Sequence, residues 1–294
     1  MIFKEDGTLK ILQLTDIHYT DGRPEDRQTV EVIKKLIETE MPDLIVLTGD
    51  TVYGDKNISV VPDSFGFIDG YNIPWTFVFG NHDDEDIGNK AELFKVVEKL
   101  PNCLAYDDVS AGAGVGNHVI DIKDKKGDIV WRLMLIDSGN YINGISGDYD
   151  YIKESQIKWY EEKVNENVKG AIAFFHIPLP EYDNVWAGKH IGEKNEDICP
   201  SRINSGFADR MVSDGITRAV FVGHDHINDY IGVYKNVLLG YGRAAGYNTY
   251  GMDGFKKGGR IILLNENDPV NFDTWVQLED GTLINSFNTS QLRS

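Results

Sequence analysis

Five apolar runs in this chain each stop in residues that bind metals or move protons. Residues 10–15 give way to Asp16-Ile17-His18, residues 44–48 to Gly49-Asp50, and residues 75–79 to Gly80-Asn81-His82-Asp83. Residues 171–175 stop at His176, and residues 219–222 at Gly223-His224-Asp225-His226. The chain has seven histidines, and five of them sit at these ends; only His118 and His190 lie elsewhere. A single histidine is commonly an ordinary core or surface group. Packing offers no reason to gather imidazoles and carboxylates where five strands finish, whereas a shared metal does, because uncompensated buried charge is costly. Imidazole, carboxylate and amide oxygen together suit Zn, Fe or Mn, while all-oxygen sets suit Mg or Ca. The candidates Asp16, His18, Asp50, Asn81, His176, His224 and His226 exceed what a tetrahedral zinc takes. They suit two metals about 3.5–4 Å apart that share a carboxylate, an arrangement used in phosphate-ester cleavage.

The elements that must position these residues follow from pattern. Short apolar runs that end in glycine or polar residues read as buried strands, and ligands in open α/β sheets gather at the carboxyl ends of such strands. Pro24–Glu40 reads as a helix with Pro24 in its first turn and Val30, Ile33, Leu36 and Ile37 on one face. Further helices are expected over residues 91–100, 155–164 and 207–212. Residues 57–70 are ambiguous, with a short helix as the reading. Residues 117–122 and 129–136 flank Asp124-Lys125-Lys126-Gly127-Asp128, a hairpin signature. After residue 226 the pattern reads as antiparallel, with strands at 230–234, 237–239, 260–264 and 272–278 around a glycine-rich loop at 240–259. The candidate site residues span 16 to 226, so residues 1–294 are expected to form a single domain with two central mixed sheets face to face and helices outside.

Composition sets limits. The 294 residues carry a formal charge of −18, which argues against a nucleic-acid surface, since that affinity comes largely from Lys and Arg on phosphates. It leaves room for a phosphate substrate, because bound cations can reverse the local field. Cys103 and Cys199 belong to no CxxC or Cys/His cluster and read as thiols in a reducing compartment. No apolar h-region or membrane-length run is present, so a cytoplasmic protein with no membrane contact is expected. Gly112, Gly114 and Gly116 lack a following Gly-Lys-Ser/Thr, so they read as a loop. Trp159 and Tyr160 read as core. Tyr182, Trp186, His190 and Tyr247 are pocket candidates by their loop positions alone. Arg243 is either a clamp for a substrate phosphate or an ordinary surface arginine, and Asp225 is expected to support its neighbours.

In order, Asp-x-His, Gly-Asp, Gly-Asn-His-Asp, a lone His and Gly-His-x-His resemble the signature of calcineurin-like metallophosphoesterases. Residues 175–182 (FHIPLPEY), 204–207 (NSGF), 223–230 (GHDHINDY), 241–243 (YGR) and 275–281 (WVQLEDG) resemble the purple-acid-phosphatase-like branch of fungi and plants, with bacterial relatives. The resemblance implies a four-layer α/β/β/α sandwich of the metallo-dependent phosphatase fold. It implies that Asp16, His18, Asp50 and His226 hold one metal and that Asp50, Asn81, His176 and His224 hold the other, with Mn, Fe or Zn as the metals. It further implies that His82 faces the leaving-group oxygen, with Asp83 orienting it, and that a hydroxide held between the metals attacks phosphorus. Asn81, His82 and Arg243 are the expected substrate contacts. Gly49-Asp50-Thr51-Val52-Tyr53 also matches true purple acid phosphatases, whose tyrosine binds iron; here His18 fills that position, and Tyr53 is read as packing or pocket lining. The expected function is hydrolysis of phosphate monoesters, on small molecules or phosphoproteins. A phosphodiesterase acting on cyclic nucleotides or lipid-linked head groups is the first alternative, and a non-catalytic metal-binding scaffold the second. The loops at 107–118, 180–203 and 240–258 are expected to set the pocket.

Overall fold

The structure, a computed structural model, describes residues 1–54, 58–85, 90–165 and 167–293. In chain order the strands are β1 (Thr8–Leu14), β2 (Leu44–Thr48), β3 (Trp75–Val78), β4 (His118–Lys123), β5 (Ile129–Leu135), β6 (Gly170–Phe174) and β7 (His190–Ile191). They continue with β8 (Thr217–Val222), β9 (Ile231–Tyr234), β10 (Val237–Tyr241), β11 (Gly258–Asn265), β12 (Asp268–Leu278) and β13 (Leu283–Asn288). The helices are α1 (Pro24–Glu40), α2 (Phe65–Asp69), α3 (Lys90–Val97), α4 (Glu154–Val164), α5 (Tyr182–Ala187), α6 (Phe207–Asp214) and α7 (Ser290–Arg293). The strands form two mixed sheets, ordered β13-β12-β11-β1-β2-β3 and β4-β5-β6-β8-β10-β9-β7.

Period-two alternation explains why these runs stack into layers. In β1, Leu9 and Ile11 point toward the other sheet, while Leu12 and Leu14 meet the α1–α3 layer. In β6, Ile172 and Phe174 join the same inter-sheet core, while Ala171 and Ala173 pack beneath α4–α6. A strand covered on both faces has no use for polar positions, so it reads as a continuous apolar run. The result is the expected α/β/β/α sandwich, with one core between the sheets and one under each helical layer.

The central strands run parallel, as β1–β2–β3 and β5–β6–β8–β10. Their carboxyl ends therefore open on one side. The expected antiparallel run after residue 226 is corrected at β10, which pairs antiparallel with β9 but parallel with β8. The hairpin at 124–128 is present, closed by Asp124 N to Asp128 O and Gly127 N to Asp124 O. Helix α2 falls inside the ambiguous 57–70 stretch, of which residue 57 lies outside the described residues. Among the described residues, no helix is long and apolar enough to cross a membrane.

Candidate metal centre

The five strand ends meet at that common opening. Asp16, His18, Asp50 and His226 each offer a ligand atom within 4.8 Å of the others, and so do Asp50, His176 and His224. Asp50 belongs to both groups. Its Oδ1 accepts the His82 amide at 2.9 Å. Its Oδ2 lies 3.5 Å from His18 Nε2 and 3.2 Å from His176 Nε2. On the far side, His226 Nε2 lies 3.4 Å from Asp16 Oδ1. With metal bonds of about 2.0–2.2 Å, ligand atoms around one ion fall about 3–3.5 Å apart.

The local backbone explains how the side chains get there. Asp16, His18, Asp50 and His224 have φ of +53°, +51°, +50° and +80°. A non-glycine residue in the left-handed region costs about 1–3 kcal/mol and persists where the surroundings enforce it. Gly49, at φ +92°, sits so close to the second sheet that a Cβ would lie 2.5 Å from His176 Nδ1. A Cβ on Gly80 would run into the Asp50 carboxylate. These glycines let two strand ends approach one another, which a side chain would prevent.

The buried atoms fit a metal. His18 Nδ1 and Nε2, Asp50 Oδ2, Asn81 Oδ1 and His224 Nε2 are buried without a hydrogen-bond partner. Each such atom costs about 1–3 kcal/mol unless something satisfies it. His176 Nδ1 lies 2.8 Å from the Thr48 carbonyl and so carries a proton, which fixes Nε2 as the nitrogen that faces Asp50. Burial pushes the His18 and His224 imidazoles down to about 3, so both are neutral and can act as ligands. Burial also works against charge on His176, but the Asp50 carboxylate outweighs it and lifts that group to about 9. Asp16 and Asp50 resist their own burial and stay below the usual carboxylate range, held there chiefly by His226 and His176 respectively.

Two expected roles are corrected. Asp83 does not serve as the carboxylate on His82 Nδ1. Its Oδ2 accepts the amides of Gly80 at 2.6 Å and Asp50 at 2.9 Å, and its Oδ1 those of Thr51 at 2.8 Å and Val52 at 3.0 Å. It therefore laces the β2 and β3 ends together, and burial beside Asp50 lifts it to about 6. The carboxylate against His82 Nδ1 is Glu85, at 2.8 Å; its hydrogen bond raises the His82 imidazole against the opposing effect of burial. Arg243 is no surface arginine and is not among the residues that line the cavity. It is 3% exposed, bonds Asp229 at 2.6 Å and the Lys256 carbonyl at 2.7 Å, and lies over the Phe255 ring.

A cavity of about 350 Å³ opens above the centre, lined by His18, Asp50, His82, His224 and His226 among others. Tyr53 lines it as well, edge-on to His18 and His82. Cys199, Asn248, Thr249 and Tyr250, in two of the loops expected to set the pocket, line it together with Asp225, and Tyr149 is the lining residue that sequence reasoning missed. Tyr149 meets His224 edge-on at 4.3 Å, and Tyr250 stacks on His226 at 4.2 Å. By contrast, Tyr182 is fully buried and bonds the Gly240 carbonyl, Trp186 and His190 pack with Tyr230 away from the cavity, and Tyr247 bonds Glu279. Asp225 accepts the Tyr241 hydroxyl at 2.5 Å and so supports the His224–His226 turn, as expected.

The model of the calcineurin-like phosphoesterase family matches residues 9–228. The chain belongs to the calcineurin-like phosphoesterase family. It is 32% identical to probable inactive purple acid phosphatase 28 of Arabidopsis thaliana, over 88% of this chain and 76% of that protein. It is 33% identical to phosphatase DCR2 of Saccharomyces cerevisiae, over 93% of this chain and 54% of that protein. Its fold is similar to that of a dimetal phosphatase from Danio rerio, with a TM-score of 0.68 and 10% identity over 95% of this chain and 98% of that one. This phosphoesterase thus joins a family of dinuclear, metal-dependent hydrolases and carries a buried Asp/His group suited to such metals.

Proposed function

We propose that this phosphoesterase hydrolyses phosphate monoesters with two transition-metal ions, Mn, Fe or Zn. The observation that carries the reading is Asp50 Oδ2, a buried oxygen without a hydrogen bond that stands between His18 and His176. Asp16, His18, Asp50 and His226 would hold one ion, and Asp50, Asn81, His176 and His224 the other. When bound, the metals supply Lewis acidity toward phosphoryl oxygens and lower the pKa of water toward neutrality. Two divalent ions bring four positive charges and Asp16 and Asp50 return two, so an excess remains to hold a phosphate dianion. His82 lines the cavity with Nδ1 turned to Glu85. Glu85 favours the protonated ring, and Nε2–H is the proton donated to the leaving oxygen. Asp83 keeps Asp50 in place through the amides it accepts. Substrates are small phosphate esters or phosphoproteins. A reducing cytoplasm fits the free thiols of Cys103 and Cys199. Residues 1–294 act as one domain in this reading, since both sheets supply the centre.

The test is a panel of aryl and alkyl monoesters and diesters assayed on purified protein, with metal content measured on the same sample. Monoester turnover above diester turnover with two ions per chain is expected. Faster diester turnover would replace the reading with a phosphodiesterase. Three Arabidopsis relatives bear the words "probable inactive"; no hydrolysis of any ester by protein holding two ions would favour a non-catalytic scaffold.

A further inference from the structure

We infer that the segment from Ser138 to Tyr149 is a brace for the second metal set alone, and that Tyr141 and Glu85 fix which atom Asn81 presents to that ion. The inference rests on the reading of Asn81, His176 and His224 as ligands of one ion.

This segment leaves β5 and crosses the opening. Its residues reach all three of those groups. Ser138 Oγ accepts the amides of His176 at 3.3 Å and Ile177 at 3.0 Å. Tyr149 packs edge-on against His224. Tyr141 accepts a hydrogen bond from Asn81 Nδ2 at 2.8 Å. The Tyr141 and Tyr149 rings lie 5.7 Å apart, and their backbones form an antiparallel bridge, so the brace is one unit. The first set is covered differently: His226 meets Thr249 and Tyr250 from the glycine-rich loop.

The direction of the hydrogen bonds decides the orientation of the Asn81 amide. An asparagine can offer either end to a partner, and a tyrosine hydroxyl can donate or accept. Glu85 removes that freedom. Its Oε1 lies 3.3 Å from the Tyr141 hydroxyl and 2.8 Å from His82 Nδ1. A carboxylate only accepts, so Tyr141 spends its proton on Glu85. Its lone pair then accepts from Asn81 Nδ2, and Asn81 Oδ1 is turned away, buried and without a hydrogen-bond partner. That oxygen is the only atom of the side chain able to bind a cation. The same carboxylate oxygen thus holds both the amide that faces the metal and the imidazole that faces the substrate.

The test is metal binding rather than turnover. Tyr141→Phe keeps the ring and removes the acceptor. Partners of a metal ligand typically contribute 10–100-fold in affinity, so Tyr141→Phe should weaken the second ion by about that factor and leave the first unchanged. With Mn(II), the wild type should titrate to two ions with an exchange-coupled EPR signal. The variant should show one ion and an uncoupled signal over the same concentration range. Exposed Glu85 gives a second pair of variants that leaves the buried core alone: Glu85→Ala should weaken the second ion, while Glu85→Gln, which keeps an acceptor, should retain it. Tyr141→Phe or Glu85→Ala with two ions at wild-type affinity would overturn the brace. A wild type that binds fewer than two ions would instead overturn the dinuclear reading beneath it.

Discussion

The two sheets contribute unequally to the centre. The β1–β3 ends deliver both candidate carboxylates, the amide and one imidazole, and three of these four residues have left-handed backbone. The β6 and β8 ends deliver three imidazoles, of which only His224 is left-handed. The first sheet thus brings charge on strained loops, tied down by backbone amides such as the four that Asp83 accepts. The second brings three imidazoles at the ends of β6 and β8. Neither sheet holds a complete set. The two candidate groups are thus divided across the sheet interface, with Asp50 the residue common to both.

The largest break in this comparison is Asp50→Ala. It removes the shared oxygen, and elemental analysis should find neither ion retained, with hydrolysis at background. Two retained ions would refute the sharing. Next come His226→Ala and His176→Ala, both from the second sheet but from different sets. Each should lose a single ion; a loss of both in either variant would show that the sets are not separable. His82→Ala should keep both ions and lose about 10²–10⁴ in kcat, the usual contribution of a placed general acid, and unaltered kcat would remove that role. The smallest effect on chemistry is expected from Arg243→Met. It strands buried Asp229 and should cost about 3–5 kcal/mol in urea unfolding, with KM for a monoester unchanged in the folded fraction. A raised KM would restore Arg243 to the substrate.

Much of this was readable in the sequence because the chemistry sits where pattern is strongest. The runs before Asp16, Asp50, Asn81, His176 and His224 are mostly apolar, so their ends are sharp. The partners of those ends were not readable. Asp83 and Glu85 both stand near His82 in sequence, and only the turn geometry decides that Asp83 faces four amides and Glu85 faces the ring. Arg243 lies in a loop whose sequence matches either role, and its capture by Asp229 depends on a contact across the fold. Strand β13, Leu283–Asn288, carries the half-polar pattern of a sheet edge and gave no signal. Tyr141 and Tyr149 belong to no periodic element.

The division of the centre between sheets also orders its assembly in time. The His224 amide bonds the Asp16 carboxylate across a separation of 208 residues. Contacts this distant in sequence form late, because a long loop must close before they reward it. During synthesis, Asp16, His18, Asp50 and Asn81 emerge well before any of their three partners. A growing chain therefore carries a half-built, strongly anionic set of ligands that no ion can join to its complement until residue 226 has left the ribosome. Metal capture therefore waits on contacts that span more than 200 residues, and each ion closes an interface the chain has already brought together.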